Sequence, residues 1–227
     1  MYTWDARNQM SQMSNASDTP FQVMNYDALG RRQTAGAPNQ YFNDMVTYLH
    51  DGSTNIASSG YLTGTRMLTG LDGELLSYTD NGYFGGGATR VPLHDGQGNT
   101  IATINSSGTM DTQYTYDPFG NFQTSGGSAP SGHGQMYAMA GMEFDPTGLY
   151  HANARYYSPN LMRFLNEDPE RGKANMYSYA GNNPVTSSDT SGMSAIWQPH
   201  QMWAQVDGFG GSGGDNNGPG LTSIGSL

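Results

Sequence analysis

Aspartate recurs through the first 120 residues at an almost fixed step. It stands in Trp4-Asp5-Ala6-Arg7-Asn8, Tyr26-Asp27-Ala28-Leu29-Gly30, His50-Asp51-Gly52, Leu71-Asp72-Gly73, His94-Asp95-Gly96 and Tyr116-Asp117-Pro118-Phe119-Gly120, with intervals of 22, 24, 21, 23 and 22 residues. A period in the twenties marks a repeat architecture. It is the length of two strands and two turns, so the natural unit is a β-hairpin. Thr112-Gln113-Tyr114-Thr115-Tyr116 trades aromatic and polar residues as a strand does. One hairpin is marginal in water, so consecutive hairpins must pair edge to edge into a longer sheet. Gly accounts for 32 of 227 residues and Tyr for 15, while charged residues make up only 12%. That balance suits short strands and tight turns and is poor for helices. The expected class is all-β, with consecutive antiparallel hairpins forming a curled sheet whose first strands leave an open edge.

Residues 121–135 are rich in Gly, Ser, Ala and Pro and read as a loop. From Met142 to Met193 three further turns are headed by aspartate: Asp145-Pro146-Thr147-Gly148, Asp168-Pro169-Glu170-Arg171-Gly172 and Asp189-Thr190-Ser191-Gly192. Proline fixes φ at the second turn position and glycine takes a positive φ freely. The intervals of 23 and 21 residues keep the ruler, so this stretch reads as a modified continuation of the sheet that curls inward and closes its end. Beyond Met193, Phe209–Pro219 has the composition of a flexible linker.

The stretch resembles the core-associated domain of Rhs/YD-repeat proteins. The resemblance is carried by Thr147-Gly148-Leu149-Tyr150, Ala154-Arg155-Tyr156-Tyr157-Ser158-Pro159, Arg163-Phe164-Leu165, Asp168-Pro169, Asn175-x-Tyr177-x-Tyr179 and Gly181-Asn182-Asn183-Pro184. The upstream ruler resembles the YD repeat, most closely at Tyr26-Asp27 and Tyr116-Asp117. The resemblance implies sheets that coil into a hollow shell, of which this chain looks like the C-terminal end and an excerpt. It implies YD-type repeats over 1–120, a loop over 121–135, the core over 136–193 and a tail over 194–227, where a toxin or other effector usually starts. No toxin is recognisable there. The implied setting is a bacterial toxin-delivery or competition protein, secreted or at the cell surface. The implied partners are its own C-terminal segment, further YD-repeat chain or a secretion-system component.

In related Rhs proteins two aspartates at such turns are implicated in self-cleavage after the second motif. Carried over, Asp168 and Asp189 are the catalytic pair, Arg155 orients a carboxylate, and the scissile bond is Met193–Ser194. Two carboxylates held close share a proton, so one deprotonates water while the other protonates the leaving group. The second motif has Thr190 where the family pattern has proline, and Ser158 where Asp is common. The competing reading is non-enzymatic: a surface or fibre module whose hairpins bind carbohydrate or a neighbouring protein, with every aspartate capping its own turn.

The remaining features narrow the field. A formal charge of −10 argues against nucleic acid and anionic membrane surfaces as partners. There is no cysteine, which removes disulfides and thiolate metal sites. No apolar run approaches the roughly 20 residues of a membrane span. No HExxH, P-loop or dinucleotide fingerprint occurs, and no cofactor or metal is expected. His50 and His94 occupy equivalent repeat positions and read as sheet residues. Asp215-Asn216-Asn217-Gly218 lacks the later Glu of a cation loop and reads as linker. Tyr156, Tyr157, Tyr177 and Tyr179 read as aromatic filling. Asn15-Ala16-Ser17 and Asn105-Ser106-Ser107 are glycosylation sequons by pattern only.

Overall fold

The computed structural model describes residues 1–37, 45–51, 54–59, 64–70, 74–80, 87–122, 137–145, 147–170 and 174–197. The expected meander is present. Eleven antiparallel strands run in sequence order through one sheet: β1 (Tyr2–Trp4), β2 (Met10–Ser14), β3 (Pro20–Tyr26), β4 (Arg32–Gly36), β5 (Met45–Asp51), β6 (Thr54–Ser59), β7 (Gly64–Thr69), β8 (Leu75–Asp80), β9 (Ala88–His94), β10 (Thr100–Asn105) and β11 (Met110–Gln113). The sheet stays open, with β1 and β11 at its edges.

One loop design closes these hairpins. At Asp5, Asp27, Asp95 and Asp117, Oδ1 accepts the amides two and four residues on, as from Phe119 at 2.8 Å and Asn121 at 3.0 Å to Asp117. The residue three positions on then takes a positive φ: Asn8, Gly30, Gly98 and Gly120. This is why Asp and Gly recur together, since one supplies the acceptor and the other the left-handed position. Asp51 ends β5, while Asp72 and Gly52 lie outside the described residues. Alternate turns escaped the ruler because Asn heads them. Asn15 Oδ1 accepts the amides of Ser17 and Thr19, and Asn105 those of Ser107 and Thr109. The two sequon patterns are therefore turn chemistry.

The ruler runs on past residue 136, but the sheet does not. A separate four-stranded antiparallel sheet holds β12 (Glu143–Phe144), β13 (Tyr150–Ala152), β14 (Arg155–Ser158) and β15 (Arg163–Phe164). A two-stranded one pairs β16 (Ser187–Ser188) with β17 (Ile196–Trp197). The expectation of a continued sheet fails for a physical reason. All four residues of β14 are buried, so both of its faces need cover, whereas a strand of an open sheet leaves one face wet.

Two apolar clusters fix how the parts dock. One joins Tyr150, Ala152, Tyr157, Phe164 and Tyr179 within the core region, with Tyr116 and Phe122 of the repeat side packed on it. The other is shared, with Met10, Met13, Met24, Ala35 and Tyr48 from the repeat sheet against Leu149 and Tyr156. Tyr156, Tyr157 and Tyr179 are thus filling, as expected, while Tyr177 is half-buried beneath the Arg163 guanidinium. The polar ends of the rings reach repeat turns: Tyr150 donates to Gly120 O at 2.8 Å and Tyr157 to Phe119 O at 2.8 Å. Each ring so buries apolar area without stranding its hydroxyl.

Candidate functional site

Arg155 lies on β14, where the strand is covered on both faces, and its guanidinium stacks 3.6 Å from the centre of the Phe164 ring. Its five donors must therefore find partners inside the protein. Nη2 stands 3.2 Å from Asp168 Oδ2 and 3.1 Å from Asp189 Oδ2, so the two carboxyl oxygens lie no farther apart than the sum of those distances. Nη1 donates to Met176 O at 3.1 Å, and Nε donates to Gly192 O. All three side chains are 1% exposed at most. Burial lowers the Arg155 pKa, and the charges of Asp168 and Asp189 act against that shift.

The 21-residue interval brings Asp168 and Asp189 together, though not as neighbouring hairpin turns. They approach from irregular segments on either side of Arg155. Asp168 Oδ1 accepts the Glu170 amide at 2.9 Å. Asp189 Oδ1 accepts the Met193 amide at 3.1 Å, and Gly192 takes a φ of 69°. This is the repeat loop again, with its glycine three residues after the aspartate. It differs at the second position, where Ser191 presents its hydroxyl, 3.5 Å from Asp189 Oδ1 and 3.2 Å from the Met193 amide. Met193 and Ser194 are exposed, and Ser194 Oγ donates to Glu170 Oε2 at 3.1 Å. All five residues singled out in the sequence thus fall in one place, with the Met193–Ser194 bond one loop away from the pair.

A second arginine–carboxylate cluster was not foreseen. Arg32 of β4 is buried against Glu143 and Asp145 of the core region. Nη2 pairs with Glu143 Oε2, and Nη1 stands 3.9 Å from Asp145 Oδ2 and donates to Tyr156 OH at 2.8 Å. Tyr48 OH donates to Glu143 Oε1 at 3.2 Å, Gln22 Nε2 donates to Asp145 Oδ2 at 2.9 Å, and His151 Nδ1 stands 3.9 Å from Glu143 Oε2. Burial raises the Glu143 pKa against the pull of Arg32, and burial together with Arg32 and His50 holds His151 well below its ordinary value. The signal was faint, because a lone Arg in a repeat strand looks solvent-facing until its partners, 111 residues on or more, are known.

His50 and His94 are sheet residues, as expected; His94 Nε2 lies 3.1 Å from Leu75 O. Among the described residues no cluster of His, Asp and Glu suits a metal ion. No described helix is long and apolar enough to cross a membrane. The expected loop and tail fall largely outside the described residues.

No protein-family model matches the chain. It is 33% identical over 223 residues to the tRNA3(Ser)-specific nuclease WapA of Bacillus spizizenii, across 91% of this chain and 9% of that protein. The tRNA nuclease WapA of Bacillus subtilis is 33% identical over 225 residues, with the same two coverages. The chain therefore spans about 9% of the length of these relatives. Among solved structures, the TcdB2–TccC3–TEV crystal structure superposes with a TM-score of 0.67 at 21% identity, covering 85% of this chain and 10% of the other. That likeness is one of fold.

Proposed function

We infer that this chain is a segment of an Rhs/YD-repeat protein of the toxin-associated kind, divided into repeats over 1–120, a loop over 121–135, a core over 136–193 and a tail over 194–227. What supports the reading is the match to the WapA nucleases over nine-tenths of the chain, together with a fold shared with TcdB2–TccC3. Its role on this reading is to enclose a polypeptide joined at its C-terminal side, in a protein delivered outside a bacterial cell, and to free that polypeptide by cutting the Met193–Ser194 bond once.

The observation that carries the cleavage reading is the sharing of Arg155 Nη2 by Asp168 and Asp189. One guanidinium balances one carboxylate. A single proton shared by the pair makes the buried cluster neutral, which its surroundings favour. The ionised carboxylate takes a proton from water as its oxygen bonds to the Met193 carbonyl carbon. The protonated carboxyl gives its proton to the Ser194 nitrogen as the C–N bond breaks. Arg155 holds both acids and, through Nε, the Gly192 carbonyl just before the scissile residue, so acid, base and substrate strand hang on one side chain.

Intact mass of the purified chain tests this. Wild type should accumulate a species ending at Met193, while Asp168→Asn and Asp189→Asn stay whole. Folded wild type left uncut for days at mildly acidic to neutral pH would show the aspartates to be turn residues and leave the non-enzymatic module as the reading.

A further inference from the structure

The ladder between β14 and β15 pairs Tyr157 with Phe164 and Ser158 with Arg163, and Leu165 then donates its amide to Tyr156 O at 2.8 Å. At the next residue the backbone stops pairing and a side chain takes over. Asn166 Oδ1 accepts the Tyr156 amide at 3.4 Å, so the chain is released from the sheet and turns to bring Asp168 across Arg155. The other end of the same amide is used as well. Asn166 Nδ2 donates at 2.9 Å to the backbone carbonyl of Asn8, in the first repeat turn, and Asn8 Nδ2 returns a bond to Glu167 O at 3.3 Å. Asn8 is the left-handed residue of that turn, with φ 62°. Asn166 is 5% exposed, so neither end has water as an easy substitute.

We propose that Asn166 is a positioning residue for self-cleavage, and that through it the first repeat turn forms part of the cleavage site. The proposal rests on the self-cleavage reading given above. Asn166 stands two residues before Asp168 and bonds the residue beside Arg155, so it sets the distance between the strand that carries the guanidinium and the segment that carries the acid. Asn8 anchors that bridge from the repeat side. General acid–base chemistry is sensitive to displacements of this scale, because a shift of about 1 Å far from the reacting atoms costs on the order of 100-fold in rate.

Three variants of the full chain test it against wild type, each followed by intact mass for cleavage, by hydrogen exchange of the Met193 amide and by thermal melting. Asn166→Ala removes both bonds and should slow cleavage at least tenfold while the Met193 amide exchanges faster. Asn8→Gly keeps the left-handed turn and loses only the bond to Glu167, and should slow cleavage two- to fivefold with the fold intact. Gln22→Ala removes a buried bond to Asp145, away from the pair, and should lower the melting temperature without changing cleavage well below it. Cleavage by Asn166→Ala at the wild-type rate overturns the proposal and leaves the aspartyl reading standing. Slowing of Gln22→Ala to the same degree also overturns it, since stability alone would then set the rate. Wild type that never cuts overturns both.

Discussion

The Asp189 carboxylate accepts the amide hydrogen of Met193 at 3.1 Å through Oδ1 while Oδ2 faces Arg155 at 3.1 Å. One side chain thereby ties the residue before the scissile bond to the buried cation. Asp189→Ala leaves both donors short of a partner, and should cost about 1–3 kcal/mol of unfolding free energy, Asp168 still holding the guanidinium. Asp189→Asn can offer its carbonyl to one of them and should cost less. Urea unfolding of the two variants checks the order, and an Asn variant weaker than Ala would mean that the carboxylate does not tie this loop.

Gly192 and Gly108 share the left-handed position of the same loop, with φ 69° and 76°. Their surroundings differ. A Cβ on Gly108 meets nothing within 4 Å, while one on Gly192 would run into the Ala152 carbonyl and lie 3.0 Å from the Arg155 nitrogen. Gly108→Ala should therefore cost only the strain of a left-handed alanine, about 1–2 kcal/mol. Gly192→Ala adds a backbone collision, should cost more, and should abolish cleavage by pushing the loop off Arg155. Equal melting temperatures for the two variants would contradict this.

His151 sits in the Arg32 cluster, facing Glu143, Arg32 and the Tyr156 ring, with His50 also acting on it. Burial and the neighbouring positive groups hold its folded pKa well below the unfolded value of about 6.5. The unfolded chain therefore binds this proton first as pH falls. The stability from a neutral His151 is complete above about pH 6.5 and is lost below it, by up to about 1.4 kcal/mol per pH unit. Glu143 works in the other direction at lower pH, since its folded carboxyl is pushed up and gains a proton before the unfolded one does. The slope of stability against pH between 6.5 and 5.5 should flatten in His151→Gln. An unchanged slope would assign the acid sensitivity elsewhere.

The meander was legible because its turns obey a local rule. An Asp side chain reaches amides two and four residues on, so spacing alone locates the hairpin ends. Asn15 and Asn105 perform the same task and were missed because the ruler was keyed to one residue type. The meeting of Arg155, Asp168 and Asp189 was legible through resemblance and interval. Its geometry was not, since the pairing expected of adjacent hairpin turns gives way to irregular segments gathered around one cation. Arg32 was illegible in principle: its partners Glu143, Asp145 and Tyr156 come from another sheet, and no local pattern in β4 announces a buried charge. Long-range electrostatic partners of that kind are visible only in three dimensions.

Thr190 is the position where the cleavage loop departs from its relatives within the chain. Asp117 and Asp168 are each followed by proline, and Asp189 by threonine. The loop nonetheless keeps the features that define the design: a positive φ at Gly192 and the Met193 amide on Asp189 Oδ1. Proline at the second position needs φ near −65° and a dispensable amide. No hydrogen bond from the Thr190 amide occurs among the described residues. Thr190→Pro should therefore raise stability by about 0.4–1 kcal/mol, mainly by restricting the unfolded chain. It should also speed cleavage severalfold, because the Met193–Ser194 bond spends more of its time in the geometry set by Asp189 and Arg155. Melting temperature and the time course of intact mass, measured on the same preparation, separate the two effects. A gain in stability without faster cutting would mean that the loop is already held as tightly as the chemistry requires. A loss of both would mean that the backbone at Thr190 lies outside the proline range, and that the hydroxyl of Ser191 beside Asp189 has replaced the proline turn as the means of presenting this bond.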